Sequence, residues 1–465
     1  MHSKKCNAKN GNLDIISTLP DAVLGHILSF LLTGDAVATS VLSKRWKYLW
    51  TLIHNLEFDS IFCRGKRTCD KSCFVKFVDR VLDCCQSQNI QKFDLRFYGF
   101  SPIELPSVHR WICYSVERNV YELRLRFPLE TEGPVKLPKC LSTCRSLVLL
   151  ELDSDFVFEI PSSVACFPSL KILHVSARNP DGELMEKLFV SCPILEDLTL
   201  YGNIEGCDDP LTFNIAVPTL KKLAIDLTVE EFHYCSVHTF VVKAPNLEYL
   251  KIQDDTLECY TLNEMPSFCQ VYVDVGNMLI NQMGATKDEV NHAMELIRGI
   301  KNTKSLELSF STMAILSYAF EDNVLIFPNL THLKVGIDSC FGWKLLQNFL
   351  KNSPNLEALV LKKEHTDSSI YPYENELEEP AHVGYDWIPP ENVPSCLLFH
   401  LKTIHIKDIE GEEDELGVIK YLLENGLVLE KMSIKLSPYS TKELFNENMI
   451  TMFPMGSKNC RIKFV

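Results

Sequence analysis

One short phrase governs this chain. From about residue 120 onward it repeats an apolar residue, two others, an apolar residue, one other and an apolar residue. The phrase reads VYELRL (Val120, Leu123, Leu125), LVLLEL (Leu147, Leu150, Leu152), LKILHV (Leu170, Leu173, Val175) and LEDLTL (Leu195, Leu198, Leu200). It continues as LKKLAI (Leu220, Leu223, Ile225), LEYLKI (Leu247, Leu250, Ile252) and FCQVYV (Phe268, Val271, Val273). After a longer gap come LTHLKV (Leu330, Leu333, Val335) and LEALVL (Leu356, Leu359, Leu361), and weaker copies stand at IHNLEF, IQKFDL and TKSLEL. Most successive copies lie roughly 21–27 residues apart, the period of stacked repeats in which no unit buries its apolar face alone.

Proline introduces many of the phrases, as in CFPSLKIL, SCPILEDL, AVPTLKKL, APNLEYL, FPNLTHL and NSPNLEAL. Proline cannot donate to a ladder, so it is expected at the entry to each strand. The last two apolar residues of each phrase then point to one face of that strand. Helical patterns stand between some phrases, in DGELMEKLFVSCP (Leu184, Leu188, Phe189) and WKLLQNFLKNSP (Leu345, Leu346, Phe349, Leu350). The reading is an α/β leucine-rich-repeat solenoid with one strand and one helix per repeat. A doubly wound domain would not repeat one phrase so often, and GxxxxGK and GxGxxG are absent.

In such a solenoid the strands line the concave face, and the residues between and after the strand leucines are expected to face it: Arg124, Arg126, Glu151, His174, Tyr201, Asp226, Lys251, Tyr272, Asp274, Glu307 and Lys334. Both charge signs and two tyrosines are mixed there, which suits a protein epitope better than a polyanion. These residues are the candidates for binding a target protein.

The net charge of −15 argues against a nucleic-acid partner, whose affinity rests on a basic stripe. No apolar run is long enough to span a bilayer, so no membrane partner is expected. The start, MHSKKCNAKNGNLD, has basic residues but no apolar stretch behind them, so it does not read as a signal peptide. The cytoplasm, the nucleus or both are expected. The 18 cysteines form no CxxC pair and read as small buried hydrophobes. Cys63, Cys69 and Cys73 are the nearest approach to a metal-binding set, and neither metal nor cofactor is expected. GEEDE (Gly411–Glu415) reads as a solvated turn and helix start.

The stretch LPDAVLGHILSFLLTGDAVATSVLSKRWKYLW (Leu19–Trp50) is different in kind. Val23, Leu24, Ile27, Leu28 and Leu31 fall at helical spacing, a turn follows at Thr33–Asp35, and Val37, Val41, Leu42 and Trp46 form a second stripe. Units this small rarely stand alone, so the uncovered aliphatic residues look for another helical protein. The tryptophans can lock the unit onto LEFD at Leu56–Asp59.

LPDAVLGHILSFL followed by TSVLSKRWKYLW resembles the F-box of plant F-box proteins, over about residues 13–55, with Leu32 where many members carry proline. VPSCLLFHLKTIHIKDIEG, YLLENGLVLEKMSIKL and FPMGSKNCRIKFV resemble the FBD module that closes many such chains, and Trp387 and Pro390 sit where its Trp-x-x-Pro would be. HLKTIHI, LVLEKMSI and CRIKFV extend the repeat and can cap it. The domains expected are a disordered N-terminus (1–12), the F-box (13–55), the repeats (56–361), an acidic loop (362–393) and the FBD module (394–465).

The resemblance implies a non-catalytic subunit of an SCF-type cullin-RING ubiquitin ligase. It would dock a Skp-type adaptor, and through it cullin, while the repeats hold an unidentified target. The adaptor-binding candidates are Leu19, Pro20, Leu24, Ile27, Leu28, Leu31, Val41, Leu42, Arg45 and Trp46, some of which must instead hold the small bundle together. The alternative is an F-box scaffold or regulatory protein acting outside ubiquitination. No GxSxG or HExxH motif supports an enzyme. Small-molecule sensing as in hormone-binding F-box solenoids would need cations gathered on neighbouring strands, and Arg124 and Arg126 are instead followed by Glu151 and Asp153.

Overall fold

The structure, a computed structural model, describes residues 15–61, 71–98, 104–127, 135–154, 156–157, 166–176, 182–202, 211–227, 238–263, 265–266, 269–276, 285–319, 325–337, 343–363, 387–438 and 447–465. Phe268, Cys63, Cys69, the expected disordered N-terminus and most of the acidic loop lie outside these residues. The chain divides into two compact units, 1–170 and 171–465.

In the first unit the phrase becomes parallel strands at Asn55–Asp59, Lys92–Arg96, Glu122–Arg126 and Leu149–Asp153. The weaker copies IHNLEF and IQKFDL are therefore full members of the ladder. Register places Leu56, Phe93, Leu123 and Leu150 in one row, and Phe58, Leu95, Leu125 and Leu152 in the next. Both rows are buried. Each such side chain contributes about 1.5–3 kcal/mol by leaving water.

The second unit repeats the plan from Ile172–Ser176 to Arg461–Phe464. Its parallel strands include Asp197–Gly202, Lys222–Leu227, Tyr249–Asp254, Gln270–Val275, Ser305–Leu308, His332–Ile337 and Ala358–Lys363. The strands Thr403–Ile409, Lys431–Leu436 and Arg461–Phe464 continue the ladder, with a register shift between Ile406 and Ile409.

The prolines do not open the strands. Pro168, Pro193, Pro218, Pro245, Pro328 and Pro354 each stand four residues before one. In each case the residue before proline accepts a hydrogen bond from the first leucine of the phrase, as from Leu195 N–H to the Cys192 carbonyl and from Leu247 N–H to the Ala244 carbonyl. Proline thus occupies the second position of a turn, where its fixed φ suits the geometry.

One helix per repeat holds only in places. Helices do form at Gly182–Val190 and Trp343–Asn352. Between residues 211 and 263 a second parallel sheet takes the helices' place, with strands Leu211–Ala216, His238–Lys243 and Cys259–Asn263. The cause is local alternation: Phe213 and Ile215, then Phe240 and Val242, point inward while their neighbours point out. The rings of Phe213, Phe240 and Tyr260 stack with centroids 4.8 and 5.2 Å apart. Helix Gly182–Val190 packs on one side of this sheet and helix Lys287–Gly299 on the other. Gly299 allows the latter approach, since a Cβ there would lie 2.9 Å from Leu262 Cβ.

In the C-terminal segment, helices Ser395–Phe399 and Glu413–Asn425 lie between the strands. The Trp387 ring meets both Trp343 and Tyr421 edge-on. No helix among the described residues is long and apolar enough to cross a membrane.

Candidate functional site

The N-terminal piece consists of short helical segments: α-helices at Ile15–Thr18, Asp21–Leu28 and Thr33–Ala38, and 3-10 helices at Thr39–Val41 (one turn) and Trp46–Leu52 (about two turns). The continuous second stripe expected from Val37 to Trp46 is therefore broken. Leu24, Gly25 and Leu28 turn inward. Gly25 lets the two main segments meet, because a Cβ on it would come within 2.8 Å of Leu52 Cβ. Ser29 and Thr33 hold the piece to the first strand. Ser29 Oγ accepts from His54 N–H at 3.0 Å, and Thr33 Oγ1 accepts from Glu57 N–H at 2.7 Å. The tryptophans are only half-buried, and Leu49, Ile53 and Leu56 fill the junction instead.

This sorts the aliphatic candidates. Leu24 and Leu28 are 0% and 1% exposed and belong to the core of the bundle, because Trp46–Leu52 covers that side of their helix. Ile27, Leu31, Val41 and Leu42 face solvent, with Val41 86% and Leu42 64% exposed. Pro20 is exposed, and Leu19 and Trp46 are half-buried. Arg45 serves as a staple: its guanidinium donates to Asp21 Oδ1 at 2.6 Å and to the Leu19 carbonyl, fixing the start of helix Asp21–Leu28. Phe30, Leu32 and Tyr48, which periodicity did not mark, are exposed as well, and so is Val23, which stands in the helical stripe but not among the adaptor-binding candidates. An exposed apolar set of this density is a recognised mark of an interaction site.

The outward face of the strands carries compensated charge. In the first unit Arg126 lies 2.9 Å from Asp94 and 2.8 Å from Glu151, and Arg124 lies 3.3 Å from Glu122. In the second unit Lys251 pairs with Asp226 at 2.6 Å and Lys334 with Glu307. Tyr272 donates to Asp274 at 3.1 Å. His174 lies against Asp197 at 4.0 Å, and Tyr201 stands beside Asp226 in register. The candidates thus form two separate sets, one in each unit. Within each set, neighbouring strands neutralise one another.

Two polar clusters escaped the sequence reading. The Asp254 carboxylate is wholly buried and accepts from Tyr260 OH at 2.7 Å and from Thr256 N–H and Oγ1–H at 2.9 and 2.7 Å, with His238 Nε2 at 3.3 Å. Burial pushes the Asp254 carboxyl up, but His238, Thr256 and Tyr260 outweigh it and hold the group below the usual range. Glu415, in the GEEDE stretch expected to be solvated, is 2% exposed and accepts from the backbone N–H groups of Glu410, Gly411 and Glu412. Lys363 reaches Glu410, Glu412 and Glu415 at 3.3, 2.9 and 3.0 Å. Among the described residues no group of three or more His, Cys, Asp or Glu side chains could hold a metal ion.

Exposed N-terminal helices tied to a ladder of LxxLxL strands define a leucine-rich-repeat protein with a small helical piece before its first strand. Comparison with known proteins agrees. The chain matches the F-box domain over residues 16–57, the repeats of FBD-associated F-box protein At5g56370 over 108–266, and FBD over 389–434. It is 36% identical to F-box/LRR-repeat protein At4g14103 of Arabidopsis thaliana, over 76% of this chain and 92% of that one. It is 33% identical to F-box/LRR-repeat protein At4g14096, over 94% and 90%, and 29% identical to F-box/FBD/LRR-repeat protein At5g56420, over 97% and 99%, both from the same plant. The chain belongs to the F-box/FBD/LRR-repeat family.

Proposed function

We propose that this protein is the substrate-recognition subunit of an SCF-type cullin-RING ubiquitin ligase in the cytoplasm or nucleus. The observation that carries this reading is the exposed apolar set Ile27, Leu31, Val41 and Leu42 on a bundle whose core is filled by other residues. A Skp-type adaptor supplies the missing apolar neighbour and brings the chain to cullin. The outward strand faces hold the target protein. The protein performs no bond chemistry; it raises the concentration of target lysines near another subunit's thioester.

The test is co-purification of the full chain with a recombinant Skp-type adaptor and cullin. Capture that Val41→Asp with Leu42→Asp abolishes supports the reading. Capture that this pair leaves unchanged refutes it.

A further inference from the structure

Every lysine and arginine within the ladder strands of the first unit, and within those of the second unit up to His332–Ile337, has a carboxylate oxygen within 3.5 Å. The last three strands break this pattern. Lys435 pairs with Asp408 at 3.1 Å. Lys407, Lys431, Arg461 and Lys463 are exposed and have no carboxylate partner among the described residues. Register puts Thr403, Lys431 and Arg461 on one rung, and His405, Ser433 and Lys463 on the next. Neighbouring strands lie about 4.8 Å apart and alternate residues about 6.8 Å apart, so uncompensated cations are concentrated on a few rungs. His405 feels them: burial, then Lys431 and Lys407, push its imidazole below the usual value.

Charge on an edge strand commonly serves to repel other strands, which would account for Arg461 and Lys463 alone. Lys407 and Lys431 stand on interior strands, where no edge needs protection. The strand Arg461–Phe464 pairs only with Lys431–Leu436, so the face is open on its far side among the described residues.

We propose that the outward face of strands Thr403–Ile409, Lys431–Leu436 and Arg461–Phe464 binds an extended, acidic polypeptide segment of a partner protein. Carboxylates on alternate residues of an extended peptide repeat at the spacing of Arg461 and Lys463. A nucleic acid fits less well, since its phosphates need a longer basic track and the chain as a whole carries −15. The inference stands apart from adaptor docking, because peptide binding is read directly and needs no ligase.

The experiment is fluorescence anisotropy of the full chain with a labelled Glu/Asp-rich peptide, a Gln/Asn copy of it, and an oligonucleotide of equal charge. Adaptor capture is followed in the same samples. The acidic peptide is expected to bind, to weaken steeply with salt, and to bind about tenfold less tightly to Lys431→Glu with Arg461→Glu. Lys187→Glu, at an exposed position of helix Gly182–Val190, is expected to leave it unchanged. The proposal is overturned if the oligonucleotide binds more tightly, if the Gln/Asn copy binds equally, or if the double variant binds like the parent. Binding seen only after residues 367–384 are deleted also overturns it, assigning the face to this chain's own acidic stretch. Loss of peptide binding with adaptor capture intact strikes this inference alone.

Discussion

Lys363, the last residue of strand Ala358–Lys363, meets Glu415, in the first turn of helix Glu413–Asn425, at 3.0 Å, with both side chains buried. The pair joins the repeat ladder to the C-terminal segment at a point where neither charge reaches water freely. Breaking such a pair strands the remaining charge.

Glu415→Ala removes the buried one of the three Lys363 partners and the acceptor of three backbone N–H groups, while Glu410 and Glu412 stay beside Lys363. A loss of about 2–4 kcal/mol in urea unfolding is expected. Burial pulls the Lys363 ammonium down, but Glu412 and Glu415 prevail and raise it above the ordinary lysine range. Its contribution is therefore complete at neutral pH and is lost only as pH rises through that raised value. Unfolding midpoints of the parent and Lys363→Met at pH 7 and above pH 10 check this: the gap between them should be flat near neutrality and close in strong alkali.

Asp254 gives the opposite dependence. Its carboxyl is held below the usual range, so its contribution is complete above the unfolded value and disappears as pH falls through the folded one. Asp254→Ala should cost about 3 kcal/mol at pH 7, and that cost should shrink steadily as pH is lowered below the ordinary carboxylate range, read by denaturant titration at a series of acid pH values.

The ladder was legible because its signal is repeated and local: Leu123 and Leu125 occupy the same rungs as Leu150 and Leu152. The second sheet was less so: FNI in Leu211–Ala216 alternates with a period of two, but FVV in His238–Lys243 is an unbroken apolar run whose alternation shows only in burial. The buried Asp254 had no readable signal, since its partners His238 and Tyr260 come from strands of the other sheet. Nor could spacing sort the N-terminal aliphatics. Val23, Leu24, Ile27, Leu28 and Leu31 form too wide a stripe, and Gly25 decides which side Trp46–Leu52 covers.

That sorting changes how adaptor docking is tested. Leu24→Asp with Leu28→Asp places two charges in the core of the small bundle and should unfold it, opening residues 15–61 to protease. Val41→Asp with Leu42→Asp should shift stability by no more than about 0.5 kcal/mol while abolishing adaptor capture. Limited proteolysis alongside capture separates the two outcomes.

Deleting residues 395–465 removes strand Thr403–Ile409 from its place beside Ala358–Lys363 and takes Glu410, Glu412 and Glu415 from Lys363. The truncated chain should aggregate, as seen by light scattering and size-exclusion chromatography. A soluble monomer would contradict the capping role.

The column of Phe213, Phe240 and Tyr260 has a consequence for how such a chain can vary. A strand that slipped by a single residue would swing its ring to the opposite side and break the stack on it. Alignment between repeats is therefore all-or-nothing, set by three flat plates. Segments joining the strands can lengthen or shorten without transmitting that change into the rungs.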